Sequence, residues 1–165
     1  MTVLVAFKTK DKIILGADTK SFSGDWFKQD CRKIFHENGM IVASTGCIST
    51  MQLFQLYCNS RKPESNSILG ITRFFVEFEV YCKDILKKTD FKNENSCFMI
   101  YDKKLFKFCV AVSEIQENEF VTLGIGRQEA YMSMFIEKDV KKAIERTIEM
   151  NAWTGGAPEI VEVEL

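Results

Sequence analysis

The second residue of the chain is a threonine whose hydroxyl could serve as a nucleophile. Thr2 follows Met1, and an initiator methionine before a small residue is commonly removed, which would leave a free α-amine on Thr2. Such an amine has an ordinary pKa of about 8 and can take the hydroxyl proton directly or through a water. Threonine at position two is also common in unrelated proteins, so Thr2 alone does not indicate a site.

Two charged residues could activate such a hydroxyl. Asp18 ends the apolar run over residues 13–17, and Lys33 lies in the segment Cys31-Arg32-Lys33-Ile34. A lysine ammonium beside a hydroxyl favours the alkoxide, and an aspartate beside that lysine keeps it charged and oriented. Taken singly, each of these residues is more often a solvated surface charge.

A glycine turn could bind the negative charge that develops during acyl transfer. Ser44-Thr45-Gly46-Cys47 ends an apolar strand pattern and precedes a helical one. Backbone N–H groups at such a junction are the usual components of an oxyanion hole, although an ordinary strand-to-helix turn has the same pattern. Cys47 is an alternative nucleophile at this turn.

The composition excludes several other classes of function. The 165 residues carry a net charge of -1, which gives no basic surface for a nucleic acid or an anionic membrane. Six scattered cysteines without a CxxC pair and a single histidine predict no metal site and no cofactor. Neither a secretory signal nor a run of about 20 apolar residues is found, so we expect a cytoplasmic protein.

The hydrophobic periodicity predicts strands, two helices, more strands, two helices and a final strand. The predicted strands cover residues 2–7, 12–17, 33–36, 40–45, 96–101, 105–112, 120–123 and 159–165. The predicted helices cover residues 49–59, 68–86 and 128–135 and a segment after Asp139, its predicted N-cap. Residues 21–25 are expected to form a polar turn. This order suits an α/β/β/α sandwich among several α+β arrangements.

Five segments, taken in order, resemble the start of a proteasome β-type subunit and of the peptidase subunit of the bacterial two-component ATP-dependent protease. They are Thr2-Val-Leu-Val-Ala-Phe, Lys12-Ile-Ile-Leu-Gly-Ala-Asp18-Thr-Lys, Gly24, Arg32-Lys33-Ile34 and Ile41-Val-Ala-Ser-Thr-Gly46. Near the C-terminus, Asn151-Ala-Trp-Thr154-Gly155-Gly156 is similar to the family's Asp-x-x-Ser-Gly-Gly. The resemblance implies a single domain over residues 1–165 with the four-layer α/β/β/α fold of N-terminal-nucleophile hydrolases.

The resemblance also implies roles for individual residues. Thr2 is the expected nucleophile, Asp18 and Lys33 its activating ion pair, and Gly46 N–H the oxyanion donor. Asn151 and Thr154 are the expected supports of this site. Cys31 and Ser44 are candidates for the lining of a substrate side-chain pocket.

The chain departs from the family pattern at two positions. Gly124-Ile125-Gly126 stands where the family has Gly-Ser-Gly, so no serine hydroxyl is available to the threonine amine. Asn151 replaces an aspartate and removes a charge. The favoured hypothesis is a threonine peptidase that cleaves unfolded polypeptide within a homo-oligomeric ring, with an ATP-dependent unfoldase as a further partner. The alternatives are a non-catalytic ring of the same fold and an amidase for a small molecule.

Overall fold

The computed structural model describes residues 2–23 and 27–165, which form eleven strands and four helices. Met1, whose removal is predicted, and Gly24, which belongs to the resemblance, lie outside the described residues. The strands are β1 (Val3–Lys8), β2 (Lys12–Asp18), β3 (Lys20–Ser23), β4 (Phe27–Asp30), β5 (Ile34–Glu37), β6 (Met40–Thr45), β7 (Ser96–Tyr101), β8 (Lys104–Phe108), β9 (Val112–Glu114), β10 (Phe120–Gly124) and β11 (Pro158–Glu164). The helices are α1 (Ile48–Ser60), α2 (Ile68–Leu86), α3 (Arg127–Glu137) and α4 (Val140–Met150).

Two antiparallel sheets form the centre of the molecule. One sheet has the strand order β10-β1-β2-β11, and the other has the order β5-β6-β7-β8-β9. The first sheet contains both the first and the last strand of the chain, because β1 and β11 pair antiparallel with opposite edges of β2, and the start of β11 lies beside Asp18. The start of β1 and the end of β2 therefore lie side by side, with Leu4 opposite Ala17.

Three hydrophobic clusters separate four layers. Alternate residues of β1 point to opposite faces, as the two-residue period of a strand requires. Leu4 and Ala6 belong to the cluster between the sheets, whereas Val3, Val5 and Phe7 pack against α3 and α4. A third cluster, rich in phenylalanine, lies between the second sheet and helices α1 and α2. The α/β/β/α sandwich is thereby confirmed.

Two predictions of local structure were wrong. Residues 21–23 of the turn expected over residues 21–25 lie in β3, which pairs with β4 in a two-stranded ribbon, and residues 24 and 25 lie outside the described residues. The strand expected over residues 105–112 is two strands, because the chain reverses after Phe108 and β9 pairs back onto β8. Neither glycine nor proline marks that reversal, and Val110 at its tip is almost fully exposed.

The remaining elements follow the periodicity closely. The predicted bounds of α2, β6 and β7 are those of the structure. Asp139 caps α4, as predicted, by accepting a hydrogen bond from Lys142 N–H at 3.0 Å.

Within the described part of the chain, none of the helices combines the length and the apolar character that crossing a membrane requires.

Candidate active site

The carboxylate of Asp18 joins three segments that are far apart in sequence. Its Oδ1 accepts hydrogen bonds from Lys33 Nζ at 2.6 Å and from Val3 N–H at 2.9 Å. Its Oδ2 accepts one from Gly155 N–H at 3.1 Å. Asp18 is completely buried, so this carboxylate fixes the backbone next to Thr2 relative to the lysine.

Lys33 is buried as well, which is unusual for a lysine. Its ammonium donates a second hydrogen bond, at 2.6 Å, to the carbonyl oxygen of Lys20. Burial lowers the pKa of Lys33 below its ordinary value, and the negative charge of Asp18 opposes that shift. Asp18 and Lys33 therefore form a buried ion pair rather than two separate surface charges.

Thr2 is buried at the start of β1 and is held through its carbonyl group. Its oxygen accepts hydrogen bonds from Ile125 N–H at 2.8 Å and Gly126 N–H at 3.4 Å. Gly124 precedes them with a φ of +92°, and a Cβ at that position would lie 2.2 Å from the same oxygen. Ile125 thus contributes its backbone to the site, while its side chain is 43% exposed.

The glycine turn is formed where β6 ends and α1 begins. Gly46 has a φ of +128°, a conformation that L residues rarely adopt. Cys47 is the N-cap residue of α1. Asn95 holds this turn from the segment before β7: its Oδ1 accepts from Cys47 N–H at 2.8 Å, and its Nδ2 donates to Cys47 O at 3.1 Å. Sequence reasoning missed Asn95, since no motif includes it.

Cys47 has an exposed thiol with a perturbed pKa. The sulfur lies 3.0 Å from the hydroxyl of Ser49, and hydrogen bonding to this hydroxyl is the main cause that lowers the pKa of Cys47 to about 7. A large share of thiolate is therefore present at neutral pH. Cys47 remains a chemically reasonable alternative nucleophile at the turn.

Asn151 and Thr154 form a hydrogen-bonded corner after α4. Thr154 Oγ1 donates to the carbonyl oxygens of Thr147 at 3.0 Å and Asn151 at 3.1 Å. Asn151 Nδ2 donates to Glu129 Oε1 at 2.9 Å. An aspartate at position 151 would face the Glu129 carboxylate with a like charge, so the amide suits this local environment. The next residue of the corner, Gly155, is the one that bonds Asp18, and sequence reasoning gave it no role.

The two candidate pocket residues, Ser44 and Cys31, are each held by a backbone hydrogen bond in the region of Lys33. Ser44 is buried, and its N–H donates to Lys33 O at 2.9 Å, which couples the end of β6 to the lysine. Cys31 is half-buried, and its N–H donates to Thr19 O at 2.8 Å.

Among the described residues, no cluster of histidine, cysteine or carboxylate side chains could hold a metal ion.

No family model matches the chain, and no curated protein matches it by sequence. Solved structures do resemble it. The BPH protein of Thiobacillus denitrificans, in complex with epoxomicin, has a TM-score of 0.86 at 17% identity, covering 99% of this chain and 98% of that one. HslV from Trypanosoma brucei has a TM-score of 0.69 at 13% identity, covering 99% of each chain.

A helical assembly of the Anbu complex from Pseudomonas aeruginosa is a further neighbour. Its TM-score is 0.75 at 13% identity, covering 98% of this chain and 81% of that one. The chain therefore has the fold of the proteasome-like N-terminal-nucleophile hydrolases, and one of its structural neighbours forms a helical assembly.

Proposed function

We propose that the protein is a threonine-type peptidase whose nucleophile is the hydroxyl of Thr2. The observation that carries the proposal is the buried carboxylate of Asp18, which binds Lys33 Nζ and the N–H of the residue after Thr2 with one oxygen. A buried ion pair is costly to keep unless it is fully bonded, and perturbed ionisable groups of this kind concentrate at functional sites.

The proposed reaction proceeds through an ester on Thr2. After processing makes Thr2 the first residue, its α-amine takes the hydroxyl proton, and the oxygen attacks the peptide carbonyl carbon. The ammonium of Lys33 stabilises the alkoxide, and Gly46 N–H donates to the oxyanion. The tetrahedral intermediate collapses when the peptide nitrogen leaves with the proton from the α-ammonium. Water then hydrolyses the ester with the amine as base and restores Thr2.

The substrate class follows from the resemblance and from the neighbours of the same fold. We propose unfolded polypeptide as substrate and residues 1–165 as one domain of a homo-oligomeric ring. An ATP-dependent unfoldase would be its partner, and the cytoplasm its location. Asn151 and Thr154 support the site indirectly, since their hydrogen bonds orient the corner that presents Gly155 to Asp18.

A non-catalytic protein of the same fold is the second candidate. It is favoured by Ile125, which brings a partly exposed aliphatic side chain to the turn that holds Thr2. The first experiment separates the two candidates. Intact mass spectrometry should find a species without Met1, and epoxomicin, the ligand of the BPH complex, should add its mass to a Thr2 peptide.

The variant Thr2→Ala should form no adduct and lose hydrolysis of fluorogenic peptide amides by about 10³-fold or more, since it lacks the attacking group. The control is Cys47→Ser, which should keep the adduct on Thr2. An adduct that disappears in Cys47→Ser and persists in Thr2→Ala would assign the nucleophile to Cys47. A wild-type protein that has a free Thr2 amine but takes no adduct would support the non-catalytic candidate. Turnover of small amides without turnover of peptides would indicate an amidase.

A further inference from the structure

Asn95 holds both polar groups of the peptide backbone at Cys47. Its side-chain oxygen accepts from Cys47 N–H at 2.8 Å, while its side-chain nitrogen donates to Cys47 O at 3.1 Å. A single planar amide thus fixes the position and the rotation of this residue. Because Asn95 is buried, water competes little for these bonds.

The Asn95 side chain also fills the space beside Gly46. A Cβ placed on Gly46 would lie 2.2 Å from Asn95 Oδ1 and 3.1 Å from Asn95 Cα. The positive φ of Gly46 and this close approach together require glycine at position 46. The Asn95 amide therefore packs directly against the Gly46 backbone.

A chain of hydrogen bonds holds Asn95 itself. Its N–H donates to Asn93 Oδ1 at 3.1 Å, and Asn93 N–H donates to Glu79 Oε1 at 3.2 Å. Glu79 belongs to α2, so the outer helix layer is connected to the turn through two asparagines. With its N–H and both side-chain polar atoms bonded, Asn95 has little freedom to rotate.

The consequence concerns the two neighbouring amides of the turn. Cys47 N–H is taken by Asn95 and cannot serve a substrate oxyanion at the same time. We propose that Asn95 is a positioning residue: by holding Cys47, it aligns Gly46 N–H as the oxyanion donor of the turn. This inference rests on the proposed peptidase function and extends it to a residue that never touches the substrate.

The variant Asn95→Leu removes both hydrogen bonds while filling a similar volume. We expect its kcat on a fluorogenic peptide amide to fall by about 10- to 100-fold. Deleting an oxyanion donor lowers kcat by more than this, and a misaligned donor still stabilises the oxyanion in part. KM should stay unchanged, since the oxyanion forms only after substrate has bound. Concentrations of active sites are taken from titration with epoxomicin, so that a loss of folded protein does not imitate a loss of rate.

The variant Asn95→Asp keeps an acceptor for Cys47 N–H, loses the donor to Cys47 O and adds a negative charge beside the turn. Its kcat should also fall below the wild-type value, because the carboxylate repels both Cys47 O and the developing oxyanion. The matched control is Asn66→Leu, which removes the bond from Asn66 to Asp102 at the other end of β7, about 20 Å away. This control should leave kcat and KM at wild-type values. Where Asn95→Leu does not fold, Asn95→Ala takes its place.

Different results overturn different parts of the proposal. A wild-type protein that neither hydrolyses peptides nor takes an adduct overturns the peptidase function and this inference with it. Hydrolysis that depends on Thr2, combined with an unchanged kcat in Asn95→Leu, overturns this inference alone. A higher KM with an unchanged kcat does the same, because it would indicate a role in binding the substrate.

Discussion

Two ion pairs in this protein have the same length and very different surroundings. Lys33 and Asp18 are 2.6 Å apart with both side chains buried, and Lys12 and Glu162 are 2.6 Å apart with side chains 36% and 47% exposed. Only the first pair is shielded from water and bonded to the backbone at Val3 and Gly155. Burial, rather than distance, gives a charge pair its effect on stability and chemistry.

We expect Asp18→Asn to lower the free energy of unfolding by about 3–5 kcal/mol, because it leaves the Lys33 ammonium buried without its counter-charge. The matched variant Glu162→Gln should lower the free energy of unfolding far less than Asp18→Asn does, since water solvates the remaining lysine. Urea unfolding at pH 7 measures both values. Equal losses in the two variants would show that the buried pair has no special role.

The lowered pKa of Lys33 has a consequence for stability at alkaline pH. The unfolded chain keeps the ordinary lysine pKa of 10.5, whereas the folded protein releases this proton at lower pH. Between these two pH values the unfolded state binds more protons, so the contribution of Lys33 to stability rises with pH there. We expect a rise toward pH 10.5 in wild type relative to Lys33→Met, measured by urea unfolding. If the free energy of unfolding changed with pH equally in the two proteins, the result would contradict the lowered pKa of Lys33.

At the scale of elements, the turn between β10 and α3 positions the first strand. Gly124 has a φ of +92° and lies against Thr2 O, whereas Gly39, in the hairpin between β5 and β6, has a φ of +79° and open space around it. The two glycines share the backbone conformation and differ in the neighbour that a side chain would meet. They therefore form a natural pair of test positions.

We expect Gly39→Ala to cost about 1–2 kcal/mol of stability, the strain of a left-handed alanine. Gly124→Ala should cost more and should also abolish adduct formation at Thr2, because its Cβ would displace the Thr2 carbonyl by an ångström or so. Thermal unfolding and the mass of the adduct are the two measurements. Normal labelling of Gly124→Ala would show that the β10–α3 turn does not position Thr2.

At the scale of the whole molecule, helices α3 and α4 carry apolar side chains that the described part of the chain leaves exposed. We call Met132, Phe135, Ile136 and Met150 the outer α3–α4 patch; each of these side chains is more than half exposed. Contiguous exposed apolar residues on a folded protein commonly mark an interface. The Anbu neighbour of the same fold forms a helical assembly, and we propose that a second copy of this chain covers the patch.

Light scattering after size exclusion should therefore give a mass several times the 19.0 kDa of one chain. The double variant Phe135→Glu/Ile136→Glu should lower this mass, since two charges would have to be buried without partners. The control is Val110→Glu, at an exposed tip outside the patch, which should leave the mass unchanged. A wild-type protein that elutes as a monomer would contradict the oligomer.

The sequence by itself determined most of the order of elements and the bounds of α2, β6 and β7, and it predicted Thr2, Asp18, Lys33 and Gly46 as one site. These features depend on local periodicity and on short motifs, which are visible along the chain. The tertiary structure decided what lies far apart in sequence: Gly155 N–H on Asp18, the Gly124–Gly126 backbone on Thr2, and Asn95 on Cys47.

The reason is that a hydrogen bond between distant segments needs only a donor and an acceptor at the right positions in space. No local sequence pattern indicates which distant residues will be in contact. Asn95 lies 48 residues from Cys47, and nothing in its neighbours distinguishes it from a loop asparagine. In the same way, the sequence shows only that Asn151 lacks the charge of the family's aspartate. The structure adds that Asn151 donates a hydrogen bond to Glu129, beside which a second carboxylate would be unfavourable. Packing of the four layers makes these residues neighbours and gives the candidate site its geometry.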